Sequence, residues 1–213
     1  GFPSDYLLQS KSIRTTEKMR IIAEGQQLVR VDWDVSNLTD QILDQVLPQI
    51  SKILNNVNAV IISDYNKGLC KEFILKDIIS KAKELQIPVF VDPKGEKWDK
   101  YRGATIITPN VKEAEEAVGR ELITDKDVET AGKEICEDLS LSGCLITRGS
   151  NGMSYISQNL KLHVCSEAKE IYDVSGAGDT VIASFAAGIL AGFDPETVTR
   201  FANKAAGIVV GHI

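Results

Sequence analysis

The chain predicts an α/β fold: a mostly parallel sheet covered by helices on both faces, with an antiparallel edge. Two observations carry this reading. Short, continuous apolar runs alternate with segments of helical spacing, as in Ala59–Ser63 (AVIIS), Pro88–Asp92 (PVFVD) and Ala104–Thr108 (ATIIT). Then Ser150-Asn151-Gly152 joins two strand-like runs by a turn too short for a crossover helix, so that pair is antiparallel.

In chain order, Met19–Glu24 and Gln27–Trp33 read as two extended segments around Gly25, a hairpin pattern. Leu38–Leu54 places Ile42, Val46, Ile50 and Ile53 at helical spacing, against the effect of Pro48 inside it. After the strand Ala59–Ser63, Lys71–Leu85 is a helix, followed by the strands Pro88–Asp92 and Ala104–Thr108. Asn110 caps a helix that runs to about Val118, and Asp125–Leu141 forms the next. Cys144–Thr147, Met153–Ser157 and Leu160–Cys165 are strands. Val181, Ile182, Phe185, Ile189 and Leu190 define one apolar helix face. Asp194-Pro195 supplies the N-cap and first position of the last helix.

A length of 213 residues favours a single domain, and 43% hydrophobic residues suffice for a substantial core. The net charge of -6 argues against non-specific nucleic-acid binding. Anionic small substrates stay open, because Lys67, Lys94, Lys112 and Arg148 lie in loop-like stretches. Cys70, Cys136, Cys144 and Cys165 show no C-x-x-C spacing, which speaks against zinc and fits a reducing cytoplasm. The run from Val181 to Gly192 is too short to cross a bilayer, so no membrane partner is expected. No signal peptide is recognisable, and the residues after Gly1 read as the interior of something longer.

The chemistry concentrates in Asp173-Val174-Ser175-Gly176-Ala177-Gly178-Asp179-Thr180, just before an apolar helix. Small residues there let a phosphate approach the backbone N–H groups of a helix start, and Asp179 adds a carboxylate beside it. The same residues also fit a plain glycine turn in which Asp179 complements the helix dipole. No G-x-x-x-x-G-K-[ST] occurs, and Val181 stands where a dinucleotide fingerprint needs its last glycine.

Other polar loops follow strands. Asn110 and Glu113, three apart in TPNVKE, fit a capping box or a water-mediated magnesium and phosphate site. Arg148, Gly149 and Gly152 in TRGSNG fit a hairpin loop or a nucleotide-phosphate loop. Lys94 in DPKG could neutralise phosphate or simply be solvated, and SDYNKG is a further loop of this kind.

Together these residues resemble the ribokinase-like, or PfkB, carbohydrate kinases. DVSGAGDT is similar to that family's C-terminal signature, and the order N-x-x-E, T-R-G-x-x-G, G-A-G-D matches its nucleotide half. QQLVRVD, SDYNKG, DPKG, YRGAT, ITPNVKEAE and FANKAAGIVVG extend the likeness over nearly the whole chain, toward the family's heptose-7-phosphate kinases. The resemblance implies a three-layer α/β/α ribokinase-like fold. It also implies a glycine-rich N-terminal part before Gly1, with early sheet strands, the lid and much of the sugar site. Residues 1–213 are then one partial domain carrying nucleotide binding and the catalytic base.

The resemblance further implies ATP-dependent phosphorylation of a sugar hydroxyl. The expected position is C1 of D-glycero-β-D-manno-heptose 7-phosphate, in ADP-heptose and lipopolysaccharide core synthesis in the cytoplasm. Another sugar or nucleoside, or nucleotide binding without turnover, is the alternative. Asp179 becomes the general base and Gly176, Ala177 and Gly178 the anion hole. Asn110 and Glu113 order magnesium-bound water and phosphate, while Arg148, Gly149, Gly152 and Lys94 face the nucleotide. Asn203 and Ala206 lie near adenine or ribose, or merely pack. Asp173 and Ser175 form a potassium site or stabilise the turn. A homodimer is expected of the intact protein.

Overall fold

The computed structural model describes residues 15–23, 26–33, 40–166 and 176–211. Strands β1 (Glu17–Ala23) and β2 (Gln26–Trp33) pair antiparallel as the hairpin pattern predicts, with a bulge between Ile21 and Ile22. This ribbon stands outside the main sheet and exposes apolar side chains, among them Met19, Ile22, Leu28 and Trp33.

The main sheet has six strands in sequential order: β3 (Val60–Ser63), β4 (Val89–Asp92), β5 (Ile106–Ile107), β6 (Gly143–Thr147), β7 (Met153–Ser157) and β8 (Lys161–Val164). From β3 to β6 the pairing is parallel; β7 and β8 continue it antiparallel. Helices α1 (Asp40–Leu54), α2 (Glu72–Glu84), α3 (Val111–Val118) and α4 (Asp125–Leu139) belong to one layer. Helices α5 (Ala177–Leu190) and α6 (Pro195–Val210) form the other. Among the described residues no helix is long and apolar enough to cross a membrane.

Strand alternation assigns each side chain to a layer. Val89 and Val91 join the core under α1 to α4, whereas Phe90 between them joins the core under α5 and α6. Ile107, Cys144 and Ile146 follow the first pattern, and Ile106 and Leu145 the second. Phe185 anchors α5 on the sheet, stacked on Tyr155 at 5.7 Å and edge-on to Phe90 at 6.4 Å. Burial on both faces explains why these strands read as unbroken apolar runs.

Several element boundaries differ from expectation by a residue or two, among them those of α4 and β5. The α4 helix stops at Leu139 rather than Leu141, because Ser140 turns left-handed (φ 56°) and Leu141 N–H returns to the Cys136 carbonyl. Strand β5 is only two residues long, although Thr105 and Thr108 N–H still bond to β4, at the Val89 and Val91 carbonyls. The expected helix forms from Asp40 to Leu54 with Pro48 inside α1; its expected start at Leu38 lies outside the described residues.

Gly152 closes the β6–β7 turn with φ +83°, and a Cβ there would lie 1.9 Å from the Val164 carbonyl oxygen. Backbone occupies the place of any side chain, so the glycine is a packing requirement. Gly152→Ala is expected to destabilise the intact protein by about 3 kcal/mol, through strain and overpacking together. Thermal denaturation checks this, with a fall in Tm of roughly 6 °C or more; an unchanged Tm would refute it.

Candidate active site at the carboxyl edge of the sheet

Parallel strands end at a common edge, and their following loops meet there. Asp64 follows β3, Asp92 ends β4, Asn110 and Glu113 open α3 after β5, and Asp179 lies in the first turn of α5. Four acidic side chains from well-separated parts of the chain thus gather at one edge.

Asp179 is exposed, and the Tyr65 hydroxyl donates to its Oδ1 at 3.2 Å and Oδ2 at 3.1 Å. Its own helix, α5, has Gly176 as N-cap, in a left-handed conformation (φ 77°) with no side-chain cap. Helix geometry leaves the first-turn N–H groups without intrahelical acceptors. Among the described residues, nothing lies within 4 Å of a Cβ built at Gly176 or Gly178, so the backbone is unobstructed on that side. The arrangement suits an anion placed against backbone, with Asp179 alongside.

Asn110 and Glu113 form a complete capping box. Asn110 Oδ1 accepts from Glu113 N–H at 2.9 Å, and Glu113 Oε2 accepts from Asn110 N–H at 3.0 Å. The other oxygen of the buried Glu113 accepts from Lys94 Nζ at 2.7 Å. Lys94 is therefore the counter-ion of Glu113. Burial pushes the Asp92 carboxyl up to about 6, and the negative charges of Glu113 and Asp179 add to the effect, partly offset by Lys94. The edge is short of positive charge, so its donor set fits a cation brought with a phosphate ligand. Among the described residues no three His, Cys, Asp or Glu side chains are grouped to hold a metal alone. Among the carboxylates of this edge, Asp92 and Glu113 could take part in a metal's water shell.

Beside this edge a cavity of about 170 Å³ opens between α5, α6 and the β6–β7 turn. Gly149, Gly152, Ala177, Gly178, Asn203 and Ala206 all line it, with Met153 and Val181 giving it an apolar wall. Four residues expected at the nucleotide, Gly149, Gly152, Asn203 and Ala206, are thus brought together with two of the expected anion hole, Ala177 and Gly178. Asn203 is nonetheless buried and donates from Nδ2 to the Cys165 carbonyl at 2.8 Å, so its amide also holds β8 to α6.

Arg148 goes elsewhere. Its guanidinium pairs with Asp125 at 2.6 Å and donates to Ser154 Oγ at 3.2 Å, beside His163 on the α4 side of the sheet. The cavity lies on the α5–α6 side. The expected phosphate contact of Arg148 is corrected on this ground: its side chain braces the turn from the opposite face. Asp173 and Ser175 lie outside the described residues. Asp64, Tyr65 and Asp92 carry no motif of their own in the sequence; their signal is the position of SDYNKG and DPKG directly after strands.

A family model described as pfkB family carbohydrate kinase matches residues 1–213. The chain belongs to the pfkB family of carbohydrate kinases. Bifunctional protein HldE of Wolinella succinogenes is 41% identical over 214 residues, covering 100% of this chain and 45% of that protein. Bifunctional protein HldE of Aliivibrio fischeri (strain MJ11) is 38% identical over 200 residues, covering 93% of this chain and 41% of that protein. The chain spans less than half the length of these curated relatives.

Two solved structures share the fold. Phosphofructokinase-2 from Escherichia coli in complex with potassium matches with a TM-score of 0.78 at 21% identity, covering 92% of this chain and 63% of that one. Arabidopsis thaliana ribokinase complexed with ribose and ATP matches with a TM-score of 0.69 at 22% identity, covering 89% and 60%. The three-layer ribokinase-like architecture expected of the sequence is the one observed.

The raised Asp92 carboxyl has a consequence for this pfkB chain. The folded state binds the Asp92 proton more tightly than the unfolded state, where the ordinary value of 3.8 applies. Stability from this group is present at low pH and lost as pH rises through about 6. Asp92→Asn is expected to raise the Tm of the intact protein at pH 8, with the gain vanishing near pH 4. A Tm difference independent of pH would contradict this.

Proposed function

We propose that the chain carries the nucleotide-binding and catalytic-base portion of a kinase that transfers the γ-phosphate of ATP to a sugar hydroxyl. The acceptor is C1 of D-glycero-β-D-manno-heptose 7-phosphate. What supports the substrate is the run of heptose-kinase-like loops together with HldE relatives near 40% identity over almost the whole chain. The observation that carries the reaction is the placement of Asp179 at the open N-terminus of α5, beside the cavity lined by Gly149, Gly178, Asn203 and Ala206.

The roles follow from that placement. Asp179 accepts the proton of the acceptor hydroxyl as its oxygen bonds to the γ-phosphorus. The bond from that phosphorus to the β–γ bridging oxygen breaks, and ADP leaves. The N–H groups of Gly176, Ala177 and Gly178 face the charge that builds on the phosphoryl oxygens. Gly149, Gly152, Asn203 and Ala206 hold the nucleoside end against the apolar wall of Met153 and Val181. Asn110, Asp92 and Glu113 orient water around a magnesium ion, which when bound with ATP supplies the positive charge this edge lacks. Lys94 keeps Glu113 in place.

Asp173 and Ser175 contribute to a monovalent-cation site. The exposed apolar residues of the β1–β2 ribbon support a homodimer. The reaction runs in the cytoplasm, where ATP is supplied.

In the intact protein, Asp179→Asn is expected to lower turnover by about 10²-fold or more while ATP binding by calorimetry is kept. Near-normal turnover would remove Asp179 from the base role. A panel of sugars, sugar phosphates and nucleosides tests the acceptor. Phosphorylation of a pentose or nucleoside, with none of heptose 7-phosphate, would overturn the substrate.

A further inference from the structure

We propose that Tyr65 is a positioning residue for Asp179: it fixes the carboxylate for the incoming hydroxyl and retains one oxygen while the other takes the proton. The proposal rests on the reading of Asp179 as the base. Tyr65 and Asp179 lie 114 residues apart in sequence, and the contact is one hydroxyl shared between both carboxylate oxygens at 3.2 and 3.1 Å.

That geometry matters because Asp179 is exposed. An exposed carboxylate in a helix turn rotates broadly about its terminal torsion. A donor placed between its two oxygens sets the plane of the group, and with it the direction of the lone pairs. The donor must itself be held, and two contacts hold it. Asn66, the next residue, donates its N–H to the buried Asp64 at 2.7 Å, which fixes the loop. Lys18 Nζ of β1 lies 5.6 Å from the centroid of the Tyr65 ring, which ties the ring to the ribbon.

The phenol is suited to this role and not to that of a base. Desolvation, with the nearby Asp179 charge adding to it, holds the Tyr65 hydroxyl above its ordinary range. It stays protonated at neutral pH and donates throughout. During transfer the acceptor proton moves to the Asp179 oxygen facing the substrate, and Tyr65 keeps its own proton on the other oxygen. No proton leaves Tyr65, so the step balances without it.

The test is a double-mutant cycle in the intact protein with Tyr65→Phe and Asp179→Asn. Tyr65→Phe keeps the ring over Lys18 and deletes only the hydroxyl. It is expected to lower kcat about tenfold, the scale of a hydrogen bond to a charged group, with the KM for ATP and the Tm unchanged. In the Asp179→Asn background the same change is expected to leave the residual rate within about twofold, because its effect runs through the carboxylate. An equal loss in both backgrounds would show an ordinary structural role and overturn the proposal. Wild-type kcat in Tyr65→Phe, with Asp179→Asn inactive, would overturn it while leaving the base in place. High turnover in Asp179→Asn would remove the base reading and the positioning role together.

Discussion

The carboxylate of Asp64 is the point from which the site is hung. Its side chain is 2% exposed, and it accepts from Lys100 Nζ at 2.6 Å, the Tyr101 hydroxyl at 2.7 Å and Asn66 N–H at 2.7 Å. A buried charge is tolerable only with this degree of pairing. The three donors belong to two different loops, so satisfying Asp64 locks the loop after β3 to the one after β4. The Tyr101 hydroxyl passes the constraint on by accepting from Lys94 N–H at 3.1 Å. Tyr65 on one side and Lys94 on the other are delivered to Asp179 and Glu113 as a result.

Above that neutralised base the edge runs electrostatically uphill. Asp92 feels the charges of both Glu113 and Asp179, with Lys94 as the nearby cation, and burial first, with those charges adding to it, holds its proton to about 6. A fold selected for stability alone would place an amide at Asp92. Keeping three carboxylates close stores repulsion in the free protein, and a positively charged ligand relieves it. The same residues therefore lower stability and raise affinity, the usual compromise of a working site.

Much of this was readable from local pattern. Apolar runs gave the parallel strands, the Ser150-Asn151-Gly152 turn gave the antiparallel edge, and the small residues before α5 marked the open helix start. The Asn110–Glu113 pair had two readings, and the structure realises the capping box. That does not cancel the other, since the second oxygen of Glu113 remains at the edge with Lys94. What pattern could not reach were contacts that span the chain. Asp64 meets Tyr101 across 37 residues and Tyr65 meets Asp179 across 114, and no periodicity encodes either. Arg148 failed for a different reason. Its position in a glycine loop suggested phosphate, but strand alternation carries past Thr147 and turns the next side chain to the α4 face.

That reversal says what kind of anion site this is. Arg148 is paired to Asp125, Lys94 to Glu113 and Lys100 to Asp64, so these three cations are already committed to carboxylates. A phosphate entering the space before Gly176 and Gly178 meets backbone N–H groups and a helix dipole, worth about half an elementary charge. A nucleotide triphosphate carries several negative charges, and three carboxylates stand beside its path. Backbone dipoles alone cannot balance that sum, and recruiting Lys94 would expose buried Glu113. In the proposed reading the ligand therefore arrives with its own cation: the glycine turn positions the phosphate, and the acidic edge favours the metal-complexed form over the bare anion.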